Sequence, residues 1–134
     1  MSFGKTYHYE KQLKVLADGD YTIVLGVPQE TQVAGYDVLR FPFAVKGTEE
    51  KCIPNYFDLF DCVDPDDPKA LGTFRRRASK IKECFKLTGS FCISNYMEWV
   101  GHEGKVKIAK SKDGFINVID FYPAEMTEEE RNLL

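Results

Sequence analysis

The chain has 134 residues, which is enough for one domain with a sizeable hydrophobic core. Hydrophobic residues make up 43% and charged residues 29%, a globular balance that excludes a largely disordered chain. No apolar run approaches the roughly 20 residues that a membrane-spanning helix requires, and the N-terminal sequence lacks the apolar stretch of a secretory signal. The composition therefore predicts a soluble, cytoplasmic protein without a membrane partner.

The net charge of −3 hides an uneven distribution of 18 basic and 21 acidic residues. Residues 69–86 contain seven basic side chains and one glutamate. A second basic cluster consists of Lys105, Lys107, Lys110 and Lys112. The last ten residues instead hold four glutamates and one arginine. Because charges act within a Debye length of about 8–10 Å, the local sign determines what a surface attracts. We therefore expect two basic patches and an acidic C-terminal tail at 124–134.

The first two predicted strands lie in the N-terminal third of the chain. Residues 21–25 are rich in β-branched side chains, and Pro28 ends this strand. In residues 36–45, an apolar row alternates with a second row that contains Tyr36 and Arg40. Alternation of this kind is typical of a strand with one face against a core, so Tyr36 and Arg40 are expected on the other face.

A third strand and a long helix are predicted next. Residues 52–60 alternate again and place Tyr56 opposite the apolar row. Asp67 and Pro68 are typical of an N-cap and a first helical position, and a helix-favouring sequence runs from there to residue 87. Apolar side chains recur along it at spacings of three and four, so this helix should pack against a sheet.

The last two predicted strands form a hairpin. Residues 104–110 alternate, turn formers follow at 112–114, and residues 115–122 alternate again. Three strands, one helix and two strands is the order of an OB-type fold, a mainly β, five-stranded barrel with its helix between strands 3 and 4. An α+β sandwich with the same elements in an open sheet is the alternative. The domain is predicted to span 1–123, with the conformation of 90–100 left open.

The sequence lacks the motifs of common catalytic sites. It contains no phosphate-binding G-x-x-x-x-G-K-[ST] loop, no H-E-x-x-H zinc site and no G-x-S-x-G nucleophile elbow. The cysteines have no metal-binding spacing, and the two histidines, His8 and His102, lie near none of them in the sequence. We therefore predict a protein that is not an enzyme, with free and mostly buried thiols and no metal. The four cysteines are Cys52, Cys62, Cys84 and Cys92.

Basic and aromatic side chains together indicate binding of single-stranded nucleic acid. Cations follow the phosphates, while flat side chains stack on unpaired bases at about 1–3 kcal/mol per base. If the strands are neighbours in one sheet, Tyr36 and Tyr56 offer the stacking surfaces. The predicted phosphate contacts are Arg40, Lys105, Lys107, Lys110 and Lys112. The alternatives are an ordinary solvated strand face and a protein-interaction module, in which an exposed apolar patch would replace the basic face.

Several segments resemble a family of small phage-encoded proteins. They are residues 19–24, 39–43, 68–71 with the basic helix, 100–107 and 117–123. Members of this family come from the early replication and recombination region and are similar to single-stranded DNA-binding proteins. The resemblance implies an OB fold, single-stranded DNA as ligand, no cofactor, a homo-oligomer and the cytoplasm of a bacterial host. The acidic tail also resembles the tip with which bacterial single-stranded DNA-binding proteins recruit replication or recombination partners.

Overall fold

Six strands and three α-helices make up the part of the chain that the computed structural model describes, residues 16–134. The strands are β1 Gly19–Leu25, β2 Gln29–Val33, β3 Tyr36–Val45, β4 Tyr56–Phe60, β5 Glu103–Lys110 and β6 Ile116–Phe121. The helices are α1 Pro68–Phe85, α2 Ile93–Tyr96 and α3 Glu128–Asn132, and a 3-10 turn covers Met97–Trp99. The architecture is therefore mainly β, as predicted.

The strands form one antiparallel sheet that is open. Its path runs β2–β3–β1–β5–β6, and β4 pairs with the remaining edge of β3. Within residues 16–134, β4 and β6 do not pair with each other, so the sheet does not close into a hydrogen-bonded barrel. The open sheet corresponds to the alternative that the sequence allows rather than to a closed barrel.

The predicted count of five strands is wrong because β2 is an additional strand. Four of its five residues are polar, so hydrophobic alternation does not reveal it. Pairing with the first half of β3 holds it in place. The turn between these strands consists of Ala34 and Gly35, with φ values of 52° and 84°. Two positive φ values match the type I′ turn, whose twist suits a two-residue hairpin.

The hydrophobic core lies between one face of the sheet and α1. Its centre is the ring of Phe57 on β4, which lies 4.9 Å from the rings of Phe41 and Phe121 and 5.7 Å from that of Phe85, measured between centroids. The apolar side chains predicted on one face of α1 include Ile81 and Phe85, which pack in this core. Phenylalanine rings from β3, β4, β6 and α1 thus meet in one cluster.

The predicted start of α1 is confirmed, and its end lies two residues before the predicted one. The Asp67 carboxylate accepts a hydrogen bond from the Lys69 amide at 3.0 Å, as an N-cap does. Pro68 occupies the first helical position. Lys86, with a φ of 54°, takes the left-handed conformation that ends many helices.

The segment 90–100, which the sequence leaves open, contains α2 and the 3-10 turn. Trp99 near its end is fully buried. The indole Nε1 donates a hydrogen bond to the Thr88 carbonyl oxygen at 3.1 Å, which satisfies the only polar atom of the ring. This segment is therefore attached to the core by Trp99 and Tyr96, with Phe91 packed against them.

The acidic tail folds back on the end of α1. A capping box between Thr127 and Glu130 begins α3. Lys86 Nζ lies 3.0 Å from Glu130 Oε2, and Arg131 Nη1 lies 3.6 Å from Glu83 Oε1. The tail is thus a docked segment rather than an extended one.

The four cysteines are free thiols in contrasting environments. Cys84 is buried, and this burial raises the pKa of its thiol to about 12. Cys92 is exposed, and a hydrogen bond from the Ser94 hydroxyl, 3.4 Å from the sulfur, lowers the pKa of Cys92. Because the thiolate is the reactive form, these two residues should differ most in reactivity.

Treatment of the folded protein with iodoacetamide at pH 7.5 is therefore expected to alkylate Cys92 first and to leave Cys84 unmodified. Peptide mapping by mass spectrometry checks the order, and a Cys92→Ser variant identifies the fast site. After denaturation in urea all four thiols should react at similar rates, since burial no longer differs. Alkylation of Cys84 in the folded protein as fast as that of Cys92 would contradict the expectation.

Candidate nucleic-acid interface

Three aromatic side chains lie on the face of β3 and β4 that points away from the core. Tyr36 is 49% exposed and Phe60 is 46% exposed, while Tyr56 is half-buried. The register places Val38 opposite Phe60, and Val38 is buried although it points to this outer side. We call the surface formed by Tyr36, Tyr56 and Phe60 the aromatic face. It offers flat rings to solvent on two paired strands.

Arg40 lies in the middle of this face and is engaged by its neighbours. Its Nε and Nη2 atoms donate hydrogen bonds to the two carboxylate oxygens of Asp58, at 2.9 and 3.0 Å. The guanidinium carbon lies 3.9 Å from the centroid of the Tyr56 ring. The hydrogen bond to Asp58 raises the pKa of Arg40. These contacts indicate that Arg40 packs against one side of the Tyr56 ring. They do not favour the predicted role of Arg40 as a phosphate contact.

Two of the predicted lysines, Lys105 and Lys107, lie on the same side of the sheet as Arg40. In the register Lys105 is opposite Thr22 and Lys107 is opposite Asp20, and the outward residues of β1 pair with outward residues of both β3 and β5. However, β1 lies between β3 and β5. The structure therefore places these lysines and the aromatic face on one side without bringing them into contact.

The surroundings of these two lysines are mixed in charge. Lys107 lies between Asp20 on β1 and Asp120 on β6 in the strand register. The Lys105 ammonium is 5.9 Å from the centroid of the Tyr122 ring, whose hydroxyl donates to Asp20 at 2.8 Å. Neither lysine forms an ion pair with the described residues 16–134. Both ammonium groups are thus available to an anion, although the neighbouring aspartates reduce the positive potential around them.

The β5–β6 hairpin carries the other two predicted lysines. Lys110 is opposite the buried Ile116 and therefore alternates to the other side of the sheet from Lys107. Lys112 lies in the turn itself, and Phe115, 63% exposed, follows the turn. Lys112 and the exposed Phe115 thus both belong to the end of this hairpin, and Lys110 lies on the opposite side of β5 from Lys105 and Lys107.

The predicted site omits two exposed rings, Phe60 and Phe115. The signal for Phe60 is its spacing of four from Tyr56, which places both side chains on one face of a strand. The signal for Phe115 is its position three residues after Lys112, in a hairpin that combines basic and aromatic residues. Both signals are local: alternation is sufficient to include Phe60, and the composition of the hairpin is sufficient to include Phe115.

A second exposed surface is apolar. Ile93 in α2, Met97 in the 3-10 turn and Val100 directly after that turn are exposed. The spacing of four places Ile93 and Met97 on one side of this helical segment, and Val100 follows it in extended backbone. We call these three residues the apolar stripe. Exposed apolar surface of this kind is typical of contacts between proteins.

The described residues do not suggest a metal site. Among residues 16–134, no three histidine, cysteine, aspartate or glutamate side chains lie together in an arrangement that could hold a metal ion. His8, one of the two histidines, lies outside the described residues. In the same part of the chain, no helix has the length and apolar character to cross a membrane.

No protein-family model matches the chain, and no curated protein matches it at a significant level. A function must therefore be argued from the surfaces themselves: the aromatic face, the lysines of β5 and the hairpin, and the apolar stripe.

Proposed function

We propose that the protein binds single-stranded DNA without reading the base sequence, by stacking bases on the aromatic face and attracting phosphates to the lysines. The observation that carries this proposal is the aromatic face, where rings on two paired strands are open to solvent. Each base has a flat face, so stacking does not depend on its identity and contributes about 1–3 kcal/mol per base. Binding of this kind requires no catalysis, cofactor or metal.

The strand connections support an OB-type fold as part of the proposal. In that fold the second and third strands form the oligonucleotide-binding face. Here β1 and β2 both run along β3, so they correspond together to one bent first strand, and β3 and β4 correspond to the second and third. The aromatic face then occupies the position at which OB folds bind nucleic acid.

The gap between β4 and β6 also agrees with a partly open barrel. Helix α1 contacts β4, β5 and β6. From this helix, Arg77 Nε and Nη2 donate to the Asp58 carbonyl oxygen at 3.2 and 2.9 Å. The same guanidinium lies 5.4 Å from the Phe121 ring on β6. A helix side chain thus satisfies a β4 carbonyl group that a pairing strand would satisfy in a closed barrel.

The charges favour moderate affinity that depends on salt. Lys105 and Lys107 share the side of the aromatic face, and Lys112 extends from the hairpin. Asp20 and Asp120 on either side of Lys107 reduce the local potential. Each phosphate neutralised on a single strand contributes about 0.7 to the slope of log affinity against log salt, because counterions are released.

The biological setting that the phage resemblance implies is DNA replication or recombination in a bacterial cytoplasm. The apolar stripe offers a surface for the self-association that this setting includes. Recruitment of partners by the tail would require α3 to detach, since Lys86 and Glu83 hold it through ion pairs. Exposed ion pairs of this kind are worth about 0–1 kcal/mol each, so detachment is inexpensive.

The replacement Phe60→Ala is expected to raise the Kd for a fluorescein-labelled oligo-dT about 5- to 150-fold, the equivalent of ~1–3 kcal/mol of lost stacking. Phe60→Tyr keeps a flat ring and should bind like the unmodified protein. The joint replacement of Lys105 and Lys107 by glutamine should reduce the salt slope by about 1.4. Fluorescence anisotropy titrations at two salt concentrations measure both effects.

Arg75→Gln provides the control, because Arg75 is an exposed cation of α1 away from the aromatic face. It should leave the Kd nearly unchanged, and thermal melting should show that each variant is folded. The proposal fails if the unmodified protein does not bind oligo-dT at low salt, or if Phe60→Ala binds it equally well.

The apolar stripe favours a second candidate function, a protein-interaction module without affinity for nucleic acid. In that case the exposed residues Ile93, Met97 and Val100 would be the working surface and the aromatic face would be incidental. The oligo-dT titration distinguishes the two functions, because only the first expects binding that is lost as salt increases.

A further inference from the structure

A cleft of about 480 Å³ lies between the β2–β3 hairpin, the end of β4 and the helical segments. Small-molecule and side-chain pockets in proteins are commonly about 300–1,000 Å³, so this volume is large enough for a ligand. Apolar and aromatic side chains make up much of its lining. They are Val38, Leu39, Leu59, Phe74, Phe91 and Tyr96.

The remaining lining residues are polar, and three of the five are acidic. Glu30, Asp37 and Asp61 contribute carboxylates, and within residues 16–134 none of the three forms an ion pair with a lysine or arginine. The Lys82 ammonium lies 5.8 Å from the Phe91 ring, but no lysine or arginine of residues 16–134 lines the cleft. Unpaired carboxylates beside aromatic rings attract a cation.

Tyr96 adds a polar group that has no hydrogen-bond partner among residues 16–134. The residue is only 5% exposed, and within residues 16–134 its hydroxyl makes no hydrogen bond. Tyr96 is one of the residues that line the cleft, between the edge of β2 and the Phe91 side chain. Burial raises the pKa of Tyr96, and the group therefore remains a neutral phenol able to donate a hydrogen bond.

The edge of β2 favours a peptide as the occupant. Three consecutive residues of this strand, Glu30, Thr31 and Gln32, line the cleft. In the described sheet β2 is an end strand that pairs only with β3, so one row of its backbone groups has no strand partner. An extended peptide can pair with such an edge and place alternate side chains in an adjoining pocket.

We propose that this cleft binds an extended basic segment of a partner protein. A lysine or arginine side chain of the segment lies against Glu30 and Asp61, and a neighbouring apolar side chain packs on Phe74 and Phe91. The Tyr96 hydroxyl donates a hydrogen bond to a carbonyl oxygen of the segment. Because the carboxylates repel phosphates, this site is separate from the proposed DNA surface and does not depend on it.

Fluorescence anisotropy with labelled model peptides tests the site on the full chain. The probe is the hexapeptide Gly-Arg-Phe-Arg-Leu-Gly, compared with the same peptide in which glutamate replaces both arginines. The basic peptide should bind at least about tenfold more tightly, which corresponds to ~1.4 kcal/mol. Asp61→Asn and Glu30→Gln should each weaken its binding several-fold, and Tyr96→Phe should do so while keeping the ring.

Matched control variants show whether a loss of peptide binding comes from the cleft itself, from a change in net charge or from loss of the fold. Glu49→Gln and Glu50→Gln remove carboxylates on the β3–β4 connection, outside the cleft, and should leave peptide binding unchanged. Phe60→Ala should also leave it unchanged, which distinguishes failure of this site from failure of DNA binding. If Tyr96→Phe does not fold, the surface variant Asp61→Asn still provides the test.

Three results would overturn the proposal. One is equal affinity for the basic and acidic peptides, and another is unchanged binding in Asp61→Asn. The third is competition by free argininamide as strong as that by the basic peptide, which would indicate a site for a small cation without strand pairing.

Discussion

Replacing Phe57 with alanine is expected to lower the free energy of unfolding by about 3–5 kcal/mol, the usual cost of removing a buried phenylalanine ring. Phe57 is buried and contacts rings from three other elements, at centroid distances of 4.9 Å to Phe41 and Phe121 and 5.7 Å to Phe85. No backbone ladder joins β4 to β6 in the described residues. These rings therefore join β4 to β6 across the gap together with Arg77 of α1, and alanine would leave a cavity between them.

Urea denaturation followed by fluorescence of Trp99 measures this loss, because Trp99 is the single tryptophan and is fully buried. Phe60→Ala is the matched control on the same strand, since the Phe60 side chain points outward and is about half exposed. Its cost should be about 1 kcal/mol or less. Equal losses for Phe57→Ala and Phe60→Ala would contradict the assignment of Phe57 to the centre of the core.

Replacing Gly104 with alanine should destabilise the protein by about 1–3 kcal/mol through overpacking. A Cβ atom at this position would lie 2.6 Å from two ring carbons of Phe85 and 2.7 Å from the Cys84 sulfur. The end of α1 therefore rests directly on the backbone of β5. Cys84 Sγ also donates to the Lys105 carbonyl oxygen at 3.3 Å, which leaves little room for the helix to move away.

Gly72→Ala is the control for the Gly104→Ala experiment. Gly72 lies within α1, and the nearest atom to an added Cβ is Arg76 Nη1 at 3.6 Å, the end of a flexible side chain. Alanine should stabilise the helix here by about 0.5–1 kcal/mol because it has the higher helix propensity. Thermal or urea denaturation of both variants shows whether each replacement raises or lowers the free energy of unfolding. A neutral Gly104→Ala would mean that α1 does not approach β5 this closely.

Local signals in the sequence predict most of the elements. The bounds of β3 agree with the predicted residues 36–45, because ten alternating residues follow a turn that has positive φ. Asp67 and Pro68 mark the start of α1 by side-chain chemistry that acts over two or three residues. By contrast, β2 is polar and owes its conformation to pairing with β3, a partner that short-range patterning does not reveal.

The candidate site shows the same division. Alternation places Tyr36, Tyr56 and Arg40 on the outer side of their strands, and the structure agrees. The bidentate contact of Arg40 with Asp58 joins residues 18 positions apart, and alternation does not say that these two will be cross-strand partners. The cleft beside β2 is even harder to predict from the sequence, because its lining comes from β2, β3, β4, α1 and the residues around α2.

By itself, the sequence determined which side chains of this protein face away from its core, because a strand turns each successive residue to the opposite side whatever its neighbours are. It also determined where the long helix begins and where the last hairpin turns, since capping and turn residues act on their own backbone. Only the tertiary structure decided that β1 separates the lysines from the aromatic face, that Asp58 engages Arg40, and that the sheet stays open at β4 and β6. Strand order and cross-strand partners depend on contacts between distant segments, whose free energies are not properties of any single segment.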